Sequence, residues 1–273
     1  MGENVGCLRL QLNCNHGKTY IEDCYCKIPL KIAKPLYLDD SGEAFLYIMN
    51  PTAGMLQGDS YEIKVSLAPH SKVFITTQSA TKIYTMGDSE ARVKEVFHVG
   101  KYALLEYFPD PYIPFAHSRF NSETEVRLEE GATVFLAEII FPGRVKKGES
   151  FLYDYFIRKT RIFHDNRLIF YDNMVLKPRE KKINNICVFD KYSFYGQLIC
   201  ISDKINRDLS DKIHFALQNH KSIKASNSLF AKNGLVVRLL GIDNVVILRA
   251  ITECFEILRK KTLGSTAIKL RKY

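Results

Sequence analysis

Apolar and polar residues alternate with a period of two through most of this chain, which leaves little room for other secondary structure. Successive side chains of a strand point to opposite faces, so this period is typical of strands with one buried face. Turn residues such as Glu130-Gly131 and Pro142-Gly143 separate the alternating segments. The spacing favours an all-β stack over βαβ units. We predict strands at residues 7–12, 19–27, 44–49, 61–67, 73–77, 92–99, 103–108, 124–128, 133–141, 151–163, 168–176, 192–201 and 235–240.

Two segments near the C-terminus change to the helical period. The first runs from Asn206 to about His220, with Asp208 and Asp211 early in the helix, where the helix dipole favours negative charge. The second begins at Asp243, a capping residue, and stops at Gly264. Its expected apolar stripe consists of Leu248, Ile251, Phe255 and Leu258. The polar residues 221–233 between the helices predict a mobile loop, and we expect one domain over residues 1–273.

Composition is consistent with a reduced, water-soluble β-protein. Apolar residues make up 46% of the chain, and 17 Phe and 15 Tyr with no Trp favour strands. No apolar run approaches the ~20 residues that span a bilayer, and the first residues lack a secretory or myristoylation signal. We therefore expect a cytoplasmic location without membrane association. Seven scattered cysteines, an odd number, indicate free thiols: Cys7, Cys14, Cys24, Cys26, Cys187, Cys200 and Cys254.

The formal charge of +9 has two interpretations. A basic β-rich nucleic-acid-binding protein would carry such charge, but no recognisable nucleic-acid motif accompanies it. Solvated faces and attraction to an acidic protein partner are the favoured interpretation.

A turn-rich loop and two strands occupy residues 50–84, NPTAGMLQGDSYEIKVSLAPHSKVFITTQSATKIY. The proline and glycines give the loop a defined path. They do not explain the polar run that follows the second strand. That run includes Thr77, Gln78, Thr81 and Lys82.

These residues resemble the signature of the UreD (UreH) family of urease accessory proteins. The first block contains Asn50, Pro51, Gly54, Gly58 and Asp59, and continues through Thr77, Gln78, Thr81 and Lys82. A Pro-rich block covers residues 107–115. A third block, beginning at Glu138, contains Gly143, Arg144, Gly148 and Glu149, and the C-terminal block contains Gly234, Arg238 and Gly241. The resemblance spans residues 50–259.

The resemblance implies a layered, helicoidal winding of short β-strands and a non-catalytic role in urease maturation. It implies binding to UreF, through UreF to the GTPase UreG, and to the urease apoprotein, within a hetero-oligomeric activation complex. No tightly bound cofactor is implied, only transient Ni²⁺ on its way to the urease metallocentre.

Other motifs give no support for an enzyme. Residues 143–150 approach a P-loop, but Glu149 replaces the required lysine and a strand pattern follows. The histidines show no metal-binding spacing, and no nucleophile elbow is present. Cys24 and Cys26 share one strand face without two further ligands, so we interpret them as free core cysteines.

Five carboxylates lie in or beside apolar strands or glycine turns: Asp59, Glu106, Glu138, Asp154 and Asp172. Exposed strand faces explain Glu106 and Asp154. Glu138 is flanked by apolar residues on both sides, and burying a carboxylate costs several kcal/mol unless it is paired or hydrated. Its candidate partners are Arg144 or a water-filled passage. We predict that Glu138 and Asp59, with Asp172, line a nickel passage.

The C-terminal block, residues 234–259, and the polar loop before it are the candidate surface for UreF. The alternative is that the helix of this block only covers one end of the β-stack.

Overall fold

The computed structural model describes residues 4–186, 188–231 and 233–266, so Cys187 lies outside the described residues. Strands dominate, as the alternation predicts. They are β1 (Asn4–Asn15), β2 (Lys18–Lys27), β3 (Lys31–Ile32), β4 (Ala44–Met49), β5 (Asp59–Leu67), β6 (Lys72–Thr77), β7 (Thr81–Ile83), β8 (Ala91–Val99), β9 (Leu104–Phe108), β10 (Tyr112–Pro114), β11 (Arg119–Leu128), β12 (Thr133–Ile140), β13 (Tyr155–His164), β14 (Arg167–Leu176), β15 (Phe194–Ile201), β16 (Ile223–Phe230) and β17 (Gly234–Gly241). The α-helices are α1 (Arg207–Gln218) and α2 (Asn244–Leu263).

The strands form two stacked sheets through which the chain winds as a coil. The first sheet has the order β14-β13-β11-β8-β5-β1-β2, and the second β16-β17-β15-β12-β9-β6-β4-β3. From β4 to β13 each turn of the coil adds one strand to each sheet. Strands of successive turns therefore run in the same direction, and β5, β8, β11 and β13 pair in parallel. The predicted helicoidal β-stack is confirmed as a β-solenoid-like arrangement.

Four connections lead from the second sheet back to the first, at residues 50–58, 78–90, 109–118 and 141–154. Three short pairings link them: Met55 bridges to Ile83, β7 pairs with β10, and β10 pairs with β12. The first three motif blocks fall on these equivalent connections in successive turns. Residues that are far apart in the sequence are thus brought to one side of the stack.

The core has two layers because the second sheet is covered on both faces. One layer fills the space between the sheets and includes Leu8, Val65, Phe97 and Phe120. The other lies between the second sheet and the helices and includes Phe135, Leu198, Ile251 and Phe255. All eight residues of β15 are buried as a result.

Helix capping agrees with the sequence prediction. The side chain of Asn206 accepts a hydrogen bond from the Leu209 amide, and that of Asp243 accepts one from the Val246 amide. Gly264 ends α2 with φ of 76°, a left-handed conformation that glycine adopts without strain. The expected apolar stripe is buried at Ile251, Phe255 and Leu258 but wrong at Leu248, which is 53% exposed, because α2 turns Ile247 towards the sheet instead. Among the described residues, no helix has the length and apolarity to cross a bilayer.

The predicted mobile loop at residues 221–233 is wrong. Residues Ile223–Phe230 form β16, an edge strand paired antiparallel with β17. Its polar sequence concealed it, because only Ile223 of this strand is fully buried and just three further side chains, Ala225, Asn227 and Phe230, are partly buried. The strand predicted over residues 151–163 begins only at Tyr155, and short strands β3, β7 and β10 were not predicted.

Candidate functional site

A cavity of about 150 Å³ opens between the first three connections. Its mouth is formed by the first motif block, including Asn50, Gly54, Gln78 and Lys82. Its floor is formed by residues of the space between the sheets: Glu95, Tyr107 and Tyr112. The polar run that strand structure alone did not explain therefore lines a pocket.

Local hydrogen bonds hold the mouth in shape. The Asn50 side-chain oxygen accepts from the Thr52 amide at 3.1 Å, and the Asp59 carboxylate accepts from the Leu56 amide at 2.8 Å. The Tyr61 hydroxyl donates to Asp59 at 3.2 Å and accepts from Asn50 at 3.4 Å. Gly54 has φ of 147°, and a Cβ there would lie 2.4 Å from the Lys82 carbonyl oxygen, so only glycine fits.

Beneath the pocket, Glu95 is buried and accepts two hydroxyl hydrogen bonds. The donors are Tyr107 and Thr124, the latter at 2.5 Å. Burial and the Glu95 carboxylate raise the pKa of Tyr107 well above its usual value, so its hydroxyl keeps the proton that it donates. Glu95 therefore has hydrogen-bond partners that do not depend on an ion pair.

Arg158 on β13 lies between Glu95 and Glu138. Its Nη2 is 3.9 Å from Glu95 and its Nε is 2.5 Å from Oε1 of Glu138. All three side chains are at most 9% exposed. The Nε–Oε1 contact lacks hydrogen-bond alignment, and both atoms are without a hydrogen-bond partner in the described structure. A buried ion pair with unsatisfied atoms is poorly compensated for its desolvation.

The polar residues form two rows that face each other across the space between the sheets. In the first sheet Glu95, Thr124, Thr160 and Asp172 stand opposite one another on β8, β11, β13 and β14. In the second sheet, the residues that stand opposite one another are Glu138 on β12, Gln197 on β15 and Arg238 on β17.

At the far end, the two rows meet in hydrogen bonds to Asp172. The Gln197 amide donates to this carboxylate at 2.9 Å, and Arg238 donates to it at 3.3 Å. The Asp172 and Arg238 side chains are 26% and 45% exposed. The rows thus extend from the pocket floor to the opposite surface of the stack.

Burial dominates the electrostatics of this interior. Desolvation raises the pKa of Glu138 to about 7, although the neighbouring Arg158 guanidinium acts in the opposite direction. The Glu95 charge raises it further. At neutral pH the Glu138 carboxyl is therefore divided between its protonated and ionised forms.

The structure corrects several predictions about carboxylates. The buried Glu138 pairs with Arg158 and not with Arg144, which binds Glu149 with Nε at 2.8 Å. Glu106, expected on an exposed face, is 1% exposed. Asp154 is also less exposed than expected, because Arg119 and Arg179 contact its carboxylate.

The predicted passage residues do not all lie in one contact group. Glu138 and Asp172 belong to the two rows, whereas Asp59 does not line the pocket and is hydrogen-bonded to its own loop. Glu95 and Arg158 were not among the site residues predicted from the sequence. The signal was present, because alternation places Glu95 in phase with buried Val93 and Phe97, and Arg158 in phase with Phe156 and Ile162.

The described residues contain no cluster that could hold a metal ion. No three His, Cys, Asp or Glu side chains among them lie close enough together. Cys24 and Cys26 are free thiols with sulfurs 3.6 Å apart. Their predicted core position is wrong, because both are exposed on β2, the edge strand of the first sheet.

The coiled stack and its buried polar rows define a class of protein: a β-solenoid whose interior carries a polar site beneath a surface pocket. The family model of the UreD urease accessory protein matches residues 4–272. The Urease accessory protein UreD of Bacillus cereus is 30% identical over 273 residues, which is 100% of both chains. That of Acetivibrio thermocellus is 35% identical over 234 residues, covering 86% of this chain and 89% of the relative. The chain belongs to the UreD family, accessory proteins of urease maturation, and the resemblance of the motif blocks is confirmed.

Proposed function

We propose that this protein is a non-catalytic scaffold of a cytoplasmic urease activation complex. It binds UreF, through UreF the GTPase UreG, and the urease apoprotein. Nickel is its cargo and passes through the space between the two sheets to the urease metallocentre. No tightly bound cofactor takes part.

The observation that carries this proposal is the pair of polar rows crossing an otherwise apolar core. A buried ion pair such as Glu138 and Arg158 is weak evidence for stability, since well-packed apolar residues of similar volume often do as well or better. Such a costly group is understandable where a cargo ion uses it. Carboxylate, amide and hydroxyl oxygens suit Ni²⁺, which accepts N and O ligands.

An ion passes along a route only if each site binds it weakly enough to release it, as in ion pores. The rows supply one or two oxygen ligands at each step, from Glu95, Thr124, Glu138, Gln197 and Asp172. A closed four-ligand cage would retain the ion. Arg158 stands between two of the carboxylates as a resident cation, and an arriving Ni²⁺ would take over its place as their counter-charge.

The test is nickel delivery by the variant Glu138→Leu in a reconstituted activation complex. We expect the nickel content of urease to fall by about tenfold, the scale of losing a metal-orienting residue. Retention of UreF should be unchanged, because Glu138 is buried. Glu138→Gln, which keeps the shape and removes only the charge, should show the same loss.

Glu123→Leu is the matched control. This carboxylate is also on a strand facing an arginine and a lysine, but on the 37% exposed outer side. Normal nickel loading by both Glu138 variants would remove Glu138 from the route.

A further inference from the structure

The third motif block has a structural role that the nickel passage does not use. After β12 the chain turns at Gly143, whose φ is 143° and whose Cβ would lie 2.7 Å from the Glu149 carbonyl oxygen. A single 3₁₀ turn, Val145–Lys147, follows and ends at Gly148 with φ of 75°. Arg144 closes the loop by binding the Glu149 carboxylate. The block therefore holds the side chains of Val145, Lys146 and Lys147 out into solvent.

This loop forms one wall of a surface groove of about 660 Å³. Three other segments complete the groove: the end of the first block, the Pro-rich block and the start of α2. Its apolar lining consists of Tyr84, Ile113, Phe115, Phe141, Val145, Phe194 and Ile242. Val145 and Ile242 are 49% and 55% exposed, which is unusual for two aliphatic side chains of one cavity.

The apolar surface continues beyond the groove. Val245 and Leu248 are 56% and 53% exposed and lie three residues apart on α2, hence on one helix face. Leu248 was predicted to be buried, and its exposure is explained by its position in this apolar surface. An exposed apolar area of this kind, next to charged residues, is characteristic of an interaction site.

The charges around the groove are nearly all positive. Lys82, Lys146 and Lys147 are exposed members of the lining, whereas the charge of Arg144, which also lines it, is paired with Glu149. The carboxylate of Asp243 also lines it but already caps α2 through the Val246 amide. Complementary charge steers encounter and suppresses partners of the same sign.

We propose that this groove docks an acidic amphipathic helix of a partner protein, with its apolar residues in the groove and its carboxylates against the lysines. A helix matches the site because its apolar stripe is flanked by charged positions on both sides. The chain's own terminal residues do not fit chemically, since Lys269, Arg271 and Lys272 would add positive charge. A second copy would bring the same lysines to the groove.

The inference rests on the proposed function only in that a scaffold of an activation complex needs a docking surface. It extends the predicted partner-binding surface in residues 234–259 across the third block. The groove and the polar rows share no residue, so the two can fail separately.

The experiment uses two synthetic helical peptides of roughly 18 residues, about five turns. Both carry the same leucine stripe, but one has glutamates and the other lysines on the remaining face. We expect fluorescence anisotropy to give at least tenfold tighter binding for the acidic peptide, weakening as salt is raised. The double variant K146E/K147E should lose this preference, and Ile242→Asp should weaken binding of the acidic peptide.

The matched control is K181E/K182E, which makes the same charge change at two exposed lysines outside the groove. It should bind the acidic peptide as the unchanged protein does. Equal affinity for both peptides, or equal loss in the control, would overturn the proposal. So would a concentration-dependent dimer in sedimentation that Ile242→Asp abolishes, since the groove would then hold a second copy.

The assay contains neither nickel nor urease. If the acidic peptide fails to bind while Glu138→Leu blocks nickel delivery, the docking proposal fails and the nickel passage stands. If the peptide binds and the Glu138 variants deliver nickel normally, the nickel passage fails and the docking proposal stands.

Discussion

Two arginines in this protein each lie between two buried glutamates, but in different layers of the fold. Arg158 lies between Glu95 and Glu138 in the space between the sheets. Arg259, on α2, binds Glu106 with Nε at 2.8 Å and also binds Glu43.

The two arginines differ in how many hydrogen bonds their guanidinium groups donate, although each cluster has one carboxylate oxygen without a hydrogen-bond partner in the described structure, Oε1 of Glu43 and Oε1 of Glu138. Arg259 also donates Nη1 to the Ser265 hydroxyl at 2.8 Å and to the Thr266 carbonyl at 2.6 Å. Arg158 has a weak 3.4 Å contact with the Ser122 hydroxyl, and its Nε lacks a hydrogen-bond partner in the described structure. One guanidinium is fully committed and the other is not.

The surroundings of the two arginine clusters also differ, one being apolar and the other polar. Phe108, Phe135 and Phe255 pack beside the helix layer, with ring centroids 4.4 and 5.2 Å from Phe255 to the other two. The Arg158 cluster instead lies beneath a pocket and continues into the polar rows. Similar side chains thus form a clamp that fixes α2 to the second sheet and, as proposed, a passage for an ion.

The largest effect is expected for Arg259→Met. Removing this guanidinium leaves Glu43 and Glu106 buried without their cation, and breaking such a pair costs about 3–5 kcal/mol of unfolding free energy. Urea denaturation should measure this loss, and adding Glu106→Gln should recover part of it. A loss no larger than that of an exposed-residue substitution would contradict the clamp.

A pH dependence of stability should follow from Glu138. Its folded pKa of about 7 lies above the ordinary glutamate value of 4.5, so the folded chain holds a proton that the unfolded chain releases. The stability from this proton is fully present below pH 4.5 and is lost as the pH rises to about 7.

Burial also raises the pKa values of Glu43 and Glu106, and their contributions have the same sign. Comparison with Glu138→Gln isolates the share of Glu138, which should amount to about 3 kcal/mol between pH 4.5 and 8. Parallel stability curves for the two proteins would show that Glu138 keeps an ordinary pKa.

Arg158→Met should cost less than Arg259→Met, about 2 kcal/mol at pH 6. Glu95 keeps its hydroxyl donors Tyr107 and Thr124, and Glu138 is mostly protonated at this pH. The same urea titration at pH 6 gives the comparison. If Arg158→Met proves the more damaging of the two, the roles assigned to the clusters are reversed.

Much of the fold was predictable because alternation is a local property. It predicted most strands, and capping residues Asn206, Asp243 and Gly264 marked the helix ends. It failed at β16, where an edge strand needs few apolar residues. At Glu106 it failed because α2, far along the chain, covers the face on which this carboxylate lies.

Glu138 stood out in the sequence because apolar neighbours surround it. Its partner Arg158 could not be identified, since the pair is formed by β12 and β13 lying in opposite sheets. Strand phase alone places Glu95 and Arg158 on buried faces, but it does not say which residues of the other sheet they meet.

The sequence by itself determined most of the strands, the helix caps, the family and the motif residues, because these depend on neighbours along the chain. Only the tertiary structure decided which carboxylates share an arginine, which motif blocks meet, and where a pocket and a groove open. Coiling brings together residues from successive turns, and the two sheets set the distances between them. Those distances govern desolvation, charge pairing and cavity shape, none of which is encoded locally.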